Sequence, residues 1–322
     1  MTALDAARVR AFGGQMLGVL NHSLLGLMIR IGQRTGLFEA MAGAGARSSA
    51  EIAGSAGLDE EFVRGWLGAM AAGRVVDYDG ARGVYRLPAE HAAALGAAGA
   101  AGGDLHAMTR TLALLGALED EVVAGLCGGG GVPEAALARA VALGAEESAA
   151  RLTASLIPAI LPLAPGLTAR LAAGIDVLDL GVAGRAAELM AAAYPASRIA
   201  RAAPGDLAGR DQPAAAAFDL VTALDGIGDR TQPAALLAAA RRALRPGGLL
   251  FAAGVAASSH LADNLDHPLA PALYAAATLR AAGLWGEERA REAILAAGFA
   301  DLEVRRLDLD LVHNYYIGRV PR

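Results

Sequence analysis

The sequence predicts an α/β protein in which a mainly helical N-terminal part precedes an open parallel sheet. Three observations lead to this prediction. Apolar residues recur at helical spacing through much of the first half of the chain. Short apolar runs then alternate with helical patterns, as successive β-α-β units require. The first of these runs, residues 175–180, is followed by a glycine-containing turn and a helix, a junction at which backbone N–H groups often meet a ligand.

The N-terminal elements have the outline of a winged helix. A first helix is predicted from a broad apolar stripe, and Gly36 is expected to end it. The stripe consists of Leu17, Leu20, Leu24, Leu25, Met28 and Ile31. Ser48 and Glu51 have the spacing of a capping box at the start of a further helix, and Asp59 begins another. Residues 75–87 then predict a small hairpin.

A winged helix raises the question of DNA binding, and the charges argue against it. The helix in the recognition position opens with Asp59, Glu60 and Glu61 and offers only Arg64 before Arg74. Phosphate contacts need positive charge on that face, yet the whole chain has a net charge of −5. We therefore expect neither a nucleic acid nor an anionic membrane as partner. The module is expected to pair with a second copy and to wall a substrate cavity.

Residues 96–174 predict a helical connector with one interruption. Gly128 begins a run of four glycines, which favour neither helix nor strand, and Val132 and Pro133 follow the run. Two interpretations stay open for this segment: a flexible lid over a pocket, or a plain linker between helices.

Alternating strands and helices are expected over residues 175–322. Strands are predicted at 177–180, 198–202, 218–223, 249–253, 302–307 and 312–317. Helices are predicted at 186–193, 233–243 and 287–297. Open α/β sheets bind ligands beyond the carboxyl ends of their strands, so a site is expected at that edge.

Five stretches carry a family resemblance: IGQRTGLF at 31–38, AEHA at 89–92, GGGVP at 129–133, FDLVT at 218–222 and DNLDHP at 263–268. They resemble class I S-adenosylmethionine (SAM) methyltransferases of bacteria that act on small molecules and carry an N-terminal winged-helix dimerisation domain. The resemblance spans nearly the whole chain. It implies a winged-helix dimerisation domain at 1–95, a helical connector and lid at 96–174, a Rossmann-like methyltransferase sheet at 175–322, and a homodimer.

The sequence departs from the family at the loop that holds the methionine end of the cofactor. The family pattern Asp-x-Gly-x-Gly-x-Gly matches Asp179 and Gly181, but its second and third glycines fall at Ala183 and Arg185. Alternatively, one residue has been deleted and Gly184 stands in for the last glycine. Asp179, Gly181 and Gly184 are therefore expected to be vestiges of a cofactor site.

The adenosine end is altered as well. The family acid that holds the ribose hydroxyls corresponds to Ala203, whose methyl group accepts no hydrogen bond. The helix and strand that frame the adenine have only residues 203–217 available. That segment is too short for a typical helix of about 11–12 residues plus a strand of about 5–6. A family histidine is replaced by Gly228.

All these departures affect the binding site for SAM, whereas the core strands of the sheet are intact. We therefore expect an enzyme of small-molecule, natural-product biosynthesis that has lost ordinary SAM binding and needs no cofactor. It would cyclise, isomerise or dehydrate an apolar substrate. Two alternatives stay open: a SAM-dependent methyltransferase with a remodelled cofactor site, and a non-catalytic scaffold for an active homologue.

The candidate catalytic residues are Asp225, His267, Tyr274 and His22. Asp225 and His267 follow two predicted strands, and the carboxylate is expected to orient the imidazole as a general base. Tyr274 is expected to donate to a developing oxyanion. The family packs the helix that carries His22 over its active site. The expected substrate pocket is lined by Met28, Gly130, Val132, Pro133 and His260.

Composition excludes several other chemistries. All 28 basic residues are arginine, so there is no Schiff-base lysine and no Walker lysine. Cys127 is the only cysteine, which excludes a disulfide scaffold and a cysteine-only zinc site, and no metal-binding spacing stands out. No signal peptide and no uninterrupted apolar run of membrane-spanning length is recognised, so a cytoplasmic protein is expected.

Overall fold

The computed structural model describes residues 4–95, 100–128, 132–181, 184–202, 213–225, 227, 233–279, 283–308 and 310–322, with the backbone alone at 100–107. The chain divides into two compact units, Met1–Ala117 and Leu118–Arg322. Residues 118–174 therefore belong to the same unit as the sheet, instead of forming a separate connector.

The first unit has the predicted winged-helix elements. They are α1 (Ala6–Thr35), α2 (Leu37–Met41), α3 (Ser49–Ala56), α4 (Glu60–Ala72), β1 (Asp77–Asp79), β2 (Val84–Arg86), α5 (Ala89–Leu95) and α6 (Ala100–Ala117). The strands β1 and β2 form an antiparallel hairpin. Ser48 and Glu51 make the capping box that starts α3, and Gly36 ends α1 in the left-handed conformation, with φ of 73°. Local sequence signals therefore predicted these boundaries correctly.

The core of this unit is formed mainly by α2, α3 and α4, and α1 packs against it. Trp66 of α4 is buried, its ring packs edge-on against Phe38, and its indole N–H donates to the carbonyl of Met28 at 2.8 Å. Gly32 permits this approach, because a Cβ atom there would lie 2.4 Å from the Trp66 ring. Trp66 is thus a core residue.

The apolar stripe of α1 divides into two sets. Leu25 and Met28 pack against the core of their own unit. The other stripe residues stay exposed, and Leu27 joins them: Leu17 (61%), Leu20 (62%), Leu24 (62%), Leu27 (37%) and Ile31 (46%). These five residues follow alternating spacings of three and four, the pattern of a coiled-coil contact line, and we call them the α1 seam.

By length and composition alone, α1 is also apolar enough to cross a membrane, which the sequence reading did not anticipate. One face of α1 packs against the core of its own unit through Leu25 and Met28. A lipid-embedded helix would have apolar residues on all its outer faces.

The second unit begins with helices and continues as an α/β sheet. Its elements are α7 (Glu119–Gly128), α8 (Glu134–Ser155), α9 (Leu167–Ala173), β3 (Asp176–Asp179), α10 (Arg185–Ala193), β4 (Arg198–Arg201), β5 (Phe218–Ala223), α11 (Pro233–Ala243), β6 (Leu244–Val255), α12 (Ala270–Leu279), α13 (Glu287–Ala296), β7 (Ala300–Arg305) and β8 (His313–Arg319). A π-helical turn, Leu156–Ile160, and a 3₁₀ turn, Leu161–Leu163, connect α8 to α9.

The sheet has six strands in the order β4-β3-β5-β6-β8-β7. The strands β4, β3, β5 and β6 are parallel, but β8 runs antiparallel to both of its neighbours. The expectation of a purely parallel sheet was therefore wrong at its C-terminal end. There, only the seven residues 306–312 join β7 to β8, so they make a hairpin-like return instead of a crossover helix.

Helices cover both faces of this sheet. On one face α11 and α13 pack against residues such as Val221 and Tyr316. On the other face the end of α8, the π turn and α9 pack against Val177 and Phe251, with Leu156 and Ile160 fully buried. The helices before β3 are therefore a structural layer of the sheet domain.

Candidate functional site

Two carboxylates meet at the carboxyl edge of the sheet. Asp179 is the last residue of β3, and Asp225 follows β5, its parallel neighbour. A Cβ atom on Gly181 would lie 2.9 Å from Asp225 Oδ2 and 3.0 Å from Asp179 Oδ2. Both acidic oxygens therefore face the space beside Gly181, and we call these three residues the carboxylate pair site.

Asp179 is fully buried, and only one of its two carboxylate oxygens has hydrogen-bond partners within the described part of the chain. Its Oδ1 accepts hydrogen bonds from the Thr222 hydroxyl at 2.7 Å and from the Gly181 N–H at 3.3 Å. Its Oδ2 has no hydrogen-bond partner within the described part of the chain. Burial, partly offset by the Thr222 hydroxyl, raises the pKa of Asp179, and the negative charge of Asp225 raises it further. A cation beside Gly181 would offset the repulsion between the two carboxylates and bind the unpartnered Asp179 oxygen.

Asp225 is oriented by α8. The Ser148 hydroxyl donates to Asp225 Oδ1 at 2.6 Å. Arg151, one turn later, donates to the Leu224 carbonyl at 2.6 Å and to the Tyr315 hydroxyl at 3.0 Å. These contacts tie the turn after β5 to both α8 and β8.

The loop after Gly181 ends at Gly184, which precedes α10. Gly184 has φ of 68°, and a Cβ atom there would lie 2.5 Å from the guanidinium of Arg201 at the end of β4. Both the backbone conformation and the close side chain require glycine at this position. Ala183, where the family pattern places a glycine, lies outside the described residues, as do Ala203 and Gly228.

The predicted pair of Asp225 and His267 is not formed. His267 Nδ1 accepts from the Leu269 N–H at 3.2 Å, and Nε2 lies 2.9 Å from the Ala256 carbonyl, to which it must donate. Both ring nitrogens are therefore engaged with the backbone, and a neutral imidazole held in this way has no free lone pair for a substrate proton.

Replacing His267 with Ala should consequently affect stability more than chemistry. Loss of two hydrogen bonds of about 1 kcal/mol each predicts a lower melting temperature. Thermal denaturation of His267→Ala beside His260→Ala, an exposed neighbour, measures this difference. A catalytic loss in His267→Ala with no change in melting temperature would contradict this interpretation.

The other predicted residues are spread over the molecule. Tyr274, on α12, accepts a hydrogen bond from the buried side chain of Asn264 at 3.1 Å, and His260 is exposed. Val132 and Pro133 lie at the start of α8, whereas Gly130 is outside the described residues. In the other unit, His22 is exposed and Met28 is partly buried against the core. Their roles in a pocket stay predictions.

Sequence reasoning missed Ser148, Arg151 and Thr222 as site residues. The signal for Thr222 was a polar residue inside an apolar strand, one position before its end. No local signal identified Ser148, because a serine in an alanine-rich helix has no distinguishing neighbours. Among the described side chains, no group of three or more His, Cys, Asp or Glu residues is placed to hold a metal ion.

Comparison with known proteins identifies the fold. Residues 23–97 match the Rv2258c-like winged HTH domain, which confirms the predicted winged helix. No curated protein matches the chain. Among solved structures, a putative O-methyltransferase from Nostoc punctiforme has a TM-score of 0.70 at 15% identity, covering 95% of this chain and 98% of that one.

Two further solved structures hold a cofactor or its product. Human N-acetylserotonin methyltransferase in complex with SAM has a TM-score of 0.68 at 16% identity, covering 100% of both chains. CalO1, a methyltransferase in calicheamicin biosynthesis, was solved with S-adenosylhomocysteine (SAH) bound. It has a TM-score of 0.65 at 17% identity and covers 99% of this chain and 100% of that one. The chain therefore has the class I methyltransferase fold with an N-terminal winged helix.

Proposed function

We propose that this protein is a SAM-dependent methyltransferase acting on an apolar small molecule, with a remodelled cofactor site. The observation that carries the proposal is the carboxylate pair site. A buried carboxylate oxygen without a hydrogen-bond partner destabilises the folded protein by about 1–3 kcal/mol or more. A ligand group that donates a hydrogen bond to this oxygen would remove that cost. The α-ammonium of SAM is a cation with three donors, which suits the two oxygens that face Gly181.

This proposal reverses the expectation that no cofactor is needed. The loop lacks glycines of the family pattern, which led to that expectation, but Asp179 and Asp225 lie on either side of Gly181. The loop keeps glycine at the two positions where a side chain would collide, Gly181 and Gly184. The solved neighbours with bound SAM or SAH support the same alternative.

At the adenosine end, the proposed site does not use an acidic residue to bind the ribose hydroxyls. At the end of β4 the residue that reaches the loop is Arg201, whose guanidinium lies against Gly184. An arginine only donates hydrogen bonds, so ribose hydroxyls beside it would act as acceptors. The short segment at 203–217 suits a cofactor that is less enclosed at its adenine.

In this proposal SAM supplies the electrophilic methyl group. The protein's own residues bind and orient: Asp179 and Asp225 hold the ammonium, and the Gly181 backbone leaves room for it. Residues that hold the cofactor in one position would lower the barrier to methyl transfer by proximity and orientation. The acceptor is expected to be an apolar biosynthetic intermediate, and the protein is proposed to work as a cytoplasmic homodimer.

Isothermal titration with SAH tests this function, with Gly181→Ala as the critical variant. The wild type should bind SAH with a saturable heat. In Gly181→Ala the new methyl group would lie 2.9 Å from Asp225 Oδ2 and fill the space between the carboxylates. Binding should fall at least about tenfold, as expected when a charge-assisted hydrogen bond of about 1.5–3 kcal/mol is lost.

The matched control is Gly144→Ala, a change of the same size on α8 that meets no atom within 4 Å. It should bind like the wild type. Absence of SAH binding by the wild type at millimolar concentration would refute the proposed function.

A second candidate, a SAM-independent cyclase, isomerase or dehydratase, is favoured by one observation. The sheet order ends at β4, so the described part of the chain has no strand beyond it to frame an adenine. Turnover of an apolar substrate without SAM, together with no SAH binding, would establish this candidate instead.

A further inference from the structure

A line of hydrogen bonds joins the carboxylate pair site to Asp310, in the loop before β8. It runs from Asp225 to Ser148, then through Arg151 and Tyr315 to Asp310. The four contacts measure 2.6 Å, 3.4 Å, 3.0 Å and 2.6 Å in that order. We call these five residues the Arg151 network. None of the chemistry proposed above uses Ser148 or Arg151 directly.

The far end of the network is firmly held. Asp310 Oδ1 accepts from the backbone N–H groups of Val312 and His313 and lies 2.9 Å from His313 Nδ1. Although burial opposes it, the hydrogen bonds from His313 and Tyr315 hold the pKa of Asp310 well below its usual range. Asp310 is therefore an anion that fixes the Tyr315 hydroxyl as its donor, and that hydroxyl in turn accepts from Arg151.

Arg151 then fixes the near end. Its Nη2 donates to the Leu224 carbonyl, immediately before Asp225, and lies within hydrogen-bond distance of Ser148 Oγ. Because Ser148 Oγ accepts from Arg151, its single proton is directed to Asp225 Oδ1. With Oδ1 held by α8, the other oxygen, Oδ2, is the one that faces Gly181.

We propose that Ser148, held by Arg151, is a positioning residue that aims Asp225 Oδ2 at the ligand ammonium. Ser148 thereby determines how strongly the site distinguishes ligands with an amino group from ligands without one. This inference rests on the proposed function. It assigns cofactor recognition to α8, a helix that lies before the first strand of the sheet.

The reason is geometric. Asp225 lies on a turn after β5 and is only partly buried, so its carboxylate can rotate about χ1 and χ2. A hydrogen bond to one oxygen selects the rotamer in which the second oxygen faces Gly181. Without that bond the carboxylate would lose its link to α8, and its contact with the ammonium through Oδ2 would weaken.

The test compares two ligands by isothermal titration. SAH carries the α-ammonium, whereas 5′-methylthioadenosine has the same thionucleoside without the amino-acid end. Ser148→Ala should weaken SAH binding roughly tenfold, the effect of one charge-assisted hydrogen bond of about 1.4 kcal/mol, and leave methylthioadenosine binding unchanged. Ser148→Thr, which keeps a hydroxyl, should restore SAH binding.

Thr153→Ala is the matched control, because it removes another α8 hydroxyl, one that bonds to Arg185 and the Ala149 carbonyl. Its affinity for both ligands should equal that of the wild type. If the wild type binds SAH and Ser148→Ala binds it equally well, the inference is wrong while the proposed function stands. An equal loss for both ligands would also overturn the inference, because Ser148 would then support the fold alone. Failure of the wild type to bind SAH would overturn both.

Discussion

Asp179→Asn is expected to weaken SAH binding about 100-fold, close to 2.7 kcal/mol, while the free protein becomes more stable. The carboxylate is fully buried, its Oδ2 has no partner among the described residues, and Asp225 lies nearby with the same charge. An asparagine keeps the acceptor that Thr222 needs and replaces the unpaired oxygen with a donor directed toward Asp225. The melting temperature of the unliganded variant should therefore rise.

The pH dependence follows from the same residue. The raised pKa of Asp179 means that acidification neutralises it at a higher pH than an ordinary aspartate. As pH falls through that pKa, SAH affinity should decrease, and the free energy of unfolding of the ligand-free protein should increase, because the neutral form suits burial better. Both changes should be smaller in Asp179→Asn.

Asp266→Asn serves as the control, since Asp266 is an exposed aspartate in the loop that follows β6. It should alter neither SAH affinity nor melting temperature. Unchanged affinity in Asp179→Asn, measured by titration at neutral pH, would show that the ammonium is not bound there.

The second large effect concerns assembly: Leu20→Glu with Leu24→Glu should convert a homodimer into a monomer. Both residues belong to the α1 seam and are 62% exposed. Burying each leucine stabilises the dimer by about 1.5–3 kcal/mol. In a two-fold interface each substitution is present in both protomers, so its effect is doubled. Dissociation should therefore become easier by roughly 10³-fold or more, which light scattering over a concentration series would detect.

Point substitutions test the dimer interface more specifically than removal of α1 would. Leu25 and Met28 hold the same helix to its own core, so a truncation through Gly36 would damage the unit itself. Val19→Glu is the matched control, because Val19 is also apolar and exposed on α1 but lies off the seam. It should remain dimeric. A double variant that scatters as a dimer would place the interface elsewhere.

The secondary structure could largely be predicted from the sequence because its signals are local. The predicted strand at 218–223 and helix at 233–243 coincide with β5 and α11, and the capping box at Ser48 is formed as expected. The direction of β8 was missed, because strand polarity depends on the path of the chain and not on composition.

The site was harder to predict than the fold. The sequence placed Asp179, Gly181 and Asp225 at the correct edge, since the ends of parallel strands meet there. It could not identify the partner of Asp225, because Ser148 is 77 positions away and a histidine such as His267 offered a more familiar catalytic pair. Partner choice is a tertiary property, set here by the packing of α8 on the sheet.

The place where the sheet ends also matters for solubility. Within the described residues β4 is the outer strand of the six, and an outer strand presents N–H and C=O groups on which another chain could add a strand. The strand has four residues and carries an arginine at each end, Arg198 and Arg201. A short strand flanked by positive charges resists edge-to-edge aggregation.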